Sequence, residues 1–186
     1  AMPFVVPLIT MRLFAEERKL GTLEALLTTS VRVPELVLSK FVGALVFYCA
    51  LLLPTIIYVY ILKQLCPATI NDFPDGGALW SGAAGMLFVG ALYVAVGVFM
   101  SSLTSNQIIA AIGGFALIFG SLVGTAFMAY MAQSPGLRIM GQYYSSFAHM
   151  MDFSRGVLDS RIIVMYLTHT AWFIFATVKI VESKRA

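Results

Sequence analysis

The chain has 186 residues, 60% of them hydrophobic and 11% charged, with a mean hydropathy of +0.89 and a formal net charge of +3. The charged share is under half the roughly 25% usual in globular domains, and a soluble domain of this size cannot hide so much apolar surface. That excludes a soluble enzyme and predicts an integral membrane protein; the basic residues cluster at the ends of apolar runs rather than in a stripe, which argues against nucleic acid as a partner.

Residues 1–11 are apolar and uncharged. They are too short to cross a bilayer and lack the basic start and cleavage site of a signal peptide, so they read as the end of a truncated span. Residues 12–40 are the one charge-rich stretch, with five basic and four acidic side chains. Leu13, Leu20 and Leu27 recur every seven residues with Leu23 and Leu26 beside them, opposite Arg12, Glu16, Glu17, Arg18, Lys19 and Glu24. Gly21 interrupts the pattern, Thr22 can cap a fresh helix with Glu24 in its first turn, and Pro34 suits the start of the next helix. An amphipathic helical hairpin over 12–36, at the membrane surface, is the expectation.

The remaining chain is divided by where charge is missing. No charged residue lies between Lys40 and Lys63, between Asp75 and Arg138, or from Ile162 to Val178. A spanning helix needs about 20 apolar residues, so these gaps hold one, two and one spans. They must be helices, since backbone polar groups in lipid can be satisfied only within the segment. The predicted spans are 37–62, 80–100, 108–132 and 161–178. A turn-rich loop, 63–79, and a polar hinge, Ser101 to Gln107, separate the first three, while 133–160 reads as external interfacial helices. The fold class is therefore an all-α, polytopic membrane bundle forming a single domain. Segments 12–40, 101–107 and 179–186 carry 5, 0 and 3 basic residues, against 1 and 3 in 63–79 and 133–161. This 8 to 4 asymmetry places the hairpin and the C-terminus in the cytoplasm.

Several residue groups carry chemistry. Acids nearly match bases in the hairpin, which suits docking against a protein better than adsorption to anionic headgroups. No Gly-x-x-x-x-Gly-Lys-Ser/Thr loop occurs, so any ATP and Mg that drive the protein belong to another subunit. Cys49 and Cys66 make neither a disulfide framework nor a metal spacing. His149, Asp152, Arg155 and Asp159, with Arg161, gather polar groups on the outer side. A His-x-x-Asp spacing there suits a metal or a proton relay, although a salt-bridged cap on the last span is the commoner arrangement. His169 lies inside span four, where an ionisable group is expensive, and reads as a packing residue hydrogen-bonded to a neighbouring helix. Gly120-x-x-x-Gly124 in span three permits close helix approach.

Thr10-Met11-Arg12-Leu13-Phe14-Ala15-Glu16-Glu17, then Gly21-Thr22-Leu23-Glu24 and Leu26-Leu27-Thr28, resemble the permease subunits of ABC-2 type transporters. The likeness is closest to the gliding-motility-associated branch, and Phe153-Ser154-Arg155-Gly156-Val157-Leu158-Asp159 and Val181-Glu182-Ser183 extend it. The resemblance implies a further N-terminal span and most of another before residue 1. It implies that residues 12–30 touch a separate ABC ATPase subunit through Glu17, Gly21, Thr22 and Glu24, with Arg18 at a matching basic position. A second permease subunit and a place in the cytoplasmic (inner) membrane follow from it too, with no catalytic residue in this chain. The alternatives are an intramembrane enzyme using His149, Asp152 and His169, or a non-transporting membrane anchor for a cytoplasmic complex.

Overall fold

The computed structural model describes residues 2–22, 32–65 and 76–183. Among these the chain is helical, with α1 Met2–Thr10, α2 Arg12–Lys19, α3 Val33–Leu65, α4 Gly76–Leu103, α5 Gln107–Met131, α6 Pro135–Tyr144, α7 Ser146–Ser154 and α8 Ser160–Glu182. Four helices are long and apolar enough to cross a membrane: α3 over Val33–Leu62, α4, α5 and α8. The charge-free gaps therefore hold the predicted number of spans. Each of the last four helices starts on a polar side chain that accepts a free backbone N–H of its first turn. Asn106 takes Ile108 N, Ser134 takes Leu137 N, Ser145 takes Ala148 N and Asp159 takes Arg161 N.

α4 is the central helix. Half of its most apolar stretch is buried, against 6% for α3, 17% for α5 and 22% for α8. Its burial rests on glycines. A Cβ on Gly97 would stand 2.1 Å from Thr10 Oγ1, and one on Gly90 would stand 2.2 Å from the Tyr48 ring. No side chain fits at either place, so α1 and α3 lie directly on the α4 backbone. Gly114 of α5 meets Pro7 at the same crossing as Gly97. The packing predicted at Gly120 and Gly124 is not made among the described residues, because none of them lies within 4 Å of a Cβ built on either. GxxxG spacing shows that approach is permitted, not which helix approaches.

Residues 133–160 hold two short helices. α6 runs back along α5, with Gly141 against the Ala129 backbone, and α7 then runs along α4 in the opposite sense to it. Ser146 is hydrogen-bonded to Tyr93, Phe153 packs on Gly85, and Gly156 faces Ala78. The numbering rises in α7 as it falls in α4, so the two lie antiparallel and α6 and α7 form a helical hairpin. Its elbow, at Tyr144, stacks edge-on to His169 at 6.0 Å. Here Ser145 N donates to Gln142 O and His149 N donates to Ser145 O.

Candidate functional site

α1 and α2 are almost one helix. Pro7 has no N–H and its ring crowds the preceding turn, so the ladder is already weakened when it reaches Met11. Met11 N still donates to Pro7 O at 2.9 Å, but the next turn opens. The amides of Phe14 and Ala15 turn instead to Ser101 Oγ of α4, at 3.0 and 3.2 Å, and that hydroxyl lies 3.1 Å from the Met11 carbonyl that accepts its proton. The helical hydrogen-bond ladder is thus interrupted around Met11, and α2 packs on the end of α4.

The apolar face of α2 is set by these contacts. Phe14 and Ala15 are fully buried, whereas Leu13 is half-buried and Leu20 is 67% exposed. Of the predicted leucine stripe, Leu13 packs against the core and Leu20 does not; Phe14 lies under the Lys40 ammonium, 4.8 Å from its ring centre. Lys40 belongs to α3 and also donates to the Leu13 carbonyl and pairs with Glu17 Oε1 at 2.6 Å. Glu17 Oε2 is buried with no partner among the described residues. Arg18 donates to the Ser102 carbonyl at 2.9 Å.

The predicted docking residues consequently separate. Glu17 and Arg18 face inward and bind α2 to α3 and α4. Lys19, Leu20, Gly21 and Thr22 are exposed, as is Arg12 at the other end of the helix. Gly21 has φ +71, the left-handed conformation that ends helices at glycine, and nothing crowds it. The Thr22 hydroxyl closes this end by donating to the Glu17 carbonyl at 3.2 Å. Glu24, Leu23, Leu26 and Leu27 lie outside the described residues. Sequence reasoning missed Ser101 and Lys40; an uncharged serine at the end of a span and a lysine at the start of one carry no motif.

At the opposite end of α4 stands the polar group His149, Asp152, Arg155 and Asp159. His149 is buried at 4% exposure, with Nδ1 3.1 Å from the Tyr166 hydroxyl, and Tyr166 is in turn hydrogen-bonded to Ser146. Burial pushes the His149 imidazole below its ordinary 6.5, opposed by its backbone hydrogen bond with Tyr143 and by the Asp152 and Asp159 carboxylates. Asp159 caps α8, Asp152 is half-buried, and Arg155 and Arg161 are exposed. The salt-bridged cap expected there is not formed, since the ion pairs among the described residues are Lys40–Glu17 and Lys179–Glu182. Among those residues no group of three or more His, Cys, Asp or Glu is placed to hold a metal. His169 Nδ1 faces its own helix, 2.8 Å from Met165 O, rather than hydrogen-bonding a neighbouring helix. An i−4 carbonyl is always within reach of a helical histidine, and the neighbour it meets, Tyr144, presents a ring edge.

The geometry thus offers a charged helix outside the spans, tied inward by its own polar groups and exposed at its tip, and a buried hydrogen-bonded centre at the other end. The sequence model describing ABC-2 family transporter proteins matches residues 1–178. No curated protein and no solved structure matches the chain.

Proposed function

The chain belongs to the ABC-2 family of transporter membrane proteins, and from that premise we propose that it is the permease through which a separate ATPase subunit drives a substrate across the cytoplasmic membrane. Being a multi-pass membrane subunit, it supplies helices and a docking element, while ATP and its magnesium are bound by the partner. The observation that carries this reading is α2. Its inner face is fixed by Ser101, Ser102 and Lys40, and its tip, Lys19 to Thr22, is free to meet another protein.

The 8 to 4 basic asymmetry supports a cytoplasmic position for α2, and α8 ends at the same end of the bundle. α8 runs parallel to α4, with Gly156 just before it beside Ala78 and Phe173 edge-on to Phe99. Gly120 and Gly124, which no described residue covers, are assigned to contact with a second permease subunit. Glu17 and Arg18 act in this scheme by holding α2, whereas Gly21 and Thr22 shape the surface offered to the ATPase.

The test is affinity purification of the tagged chain from its native membranes, with ATP hydrolysis measured in the eluate. Co-purifying ATPase is expected, reduced at least tenfold by Leu20→Asp or by Gly21→Val, which cannot adopt the left-handed backbone without strain. An eluate without ATPase, or capture unchanged in both variants, would overturn the reading.

A further inference from the structure

We infer that Ser101 is a positioning residue that locks α2 to α4, so that force applied to α2 is delivered to the central helix of the bundle; this rests on the reading of α2 as the ATPase docking element. In an unbroken helix the Phe14 and Ala15 amides would donate to the Thr10 and Met11 carbonyls. At the elbow they do not, and both residues are buried. A single hydroxyl, itself 0% exposed, accepts both amides and gives its proton to Met11 O. Three main-chain groups of the elbow thereby hang on one side chain with no rotatable bond beyond χ1 and the hydroxyl.

Two further contacts stop α2 from pivoting about that point. On one side, Thr10 Oγ1 occupies the place of the missing Gly97 side chain. On the other, Arg18 reaches the Ser102 carbonyl at 2.9 Å. Residues 97 and 101 share one face of α4 and the Ser102 carbonyl follows them, so the elbow is held at three points over more than a full turn. The link to α3 differs in kind. It passes through Lys40, whose four-carbon stem can follow a displaced partner. Force therefore enters α4 through a short, stiff contact and α3 through a long, compliant one.

Amide hydrogen exchange on the full chain in lipid nanodiscs tests the lock without any ATPase. Exchange at Phe14 and Ala15 is expected to rise at least tenfold in Ser101→Ala and to return toward the parent in Ser101→Thr, which keeps the hydroxyl. Spin labels at Leu20 and Leu103, in the complex with the captured ATPase, test the transmission. The distance between them is expected to stay fixed when ATP is added to the parent, and to change in Ser101→Ala while capture of the ATPase is retained. Unchanged exchange in Ser101→Ala, or an ATP-dependent Leu20–Leu103 distance in the parent, overturns the inference. So does loss of capture in Ser101→Ala as complete as in Gly21→Val, which would make Ser101 merely structural. If Ser101→Ala does not fold, the parent distance alone decides. If no ATPase is captured by the parent, the docking reading fails while the exchange result still stands or falls separately.

Discussion

The two ends of α4 are each fastened by a buried serine, and the fastenings differ in direction. At one end Ser81 Oγ donates to the Phe153 carbonyl at 2.5 Å and so holds the α6–α7 hairpin. At the other Ser101 Oγ mainly accepts, taking two amides of α2 and donating once. The residues are twenty positions apart, about 30 Å along a helix, which matches the hydrocarbon thickness of a bilayer. A carbonyl left without its donor retains other ways to be satisfied, whereas a buried amide left without its acceptor has none. The α2 end is thus the more dependent on its serine.

The comparison can be broken first at its shared support. Gly97→Leu drives a side chain into Thr10 and is expected to destabilise the bundle by about 3 kcal/mol or more, seen as loss of monodisperse protein in detergent. A well-folded Gly97→Leu would show that α1 is not seated on α4. Next, Ser101→Ala should cost about 2–3 kcal/mol in thermal or denaturant unfolding, since it orphans two buried donors. The equivalent Ser81→Ala should cost only about 1 kcal/mol. Equal losses would remove the asymmetry between the two ends.

The hairpin end carries a pH dependence. His149 titrates below its ordinary 6.5 in the folded chain, so the unfolded chain binds the extra proton between that depressed value and 6.5. Its contribution is complete above about 6.5 and is lost as pH falls from there toward the folded value, by at most about 1.4 kcal/mol per pH unit. Melts at pH 7.5 and 5.5 should separate in the parent and converge in His149→Gln. The smallest effect belongs to Gly120→Leu and Gly124→Leu, expected within about 0.5 kcal/mol for the isolated chain because neither meets a neighbour. Their effect is reserved for association, measured as the monomer–dimer ratio in nanodiscs.

What the sequence shows and what it conceals follow one physical division. Charge-free length fixes the number of spans, because the bilayer imposes it whatever the helices touch. Gly21 is legible for a similar reason, since a backbone requirement is local. The facing of α2 is not local. Glu17 and Arg18 turn inward because Lys40 lies 23 residues away and Ser102 84 residues away. Likewise Gly90 and Gly97 are distinguished from Gly120 and Gly124 only by Tyr48 and Thr10, which belong to other helices.

α3 brings the surrounding membrane into this mechanics. Its 33 residues extend about 50 Å, well beyond about 30 Å of hydrocarbon. Its first half is gripped by the bundle through Val33, Val37, Phe41, Ala44 and Tyr48, while Leu51, Leu53, Ile56, Ile57, Tyr58 and Tyr60 project outward. A beam clamped at one end and immersed along the rest takes its tilt from the thickness of the medium, because length mismatch costs fractions of a kcal/mol per Å. The clamp contains Lys40, and Lys40 holds Glu17 and the Leu13 carbonyl of α2. A thinner or thicker bilayer therefore reaches α2 as a bending moment on its softer attachment.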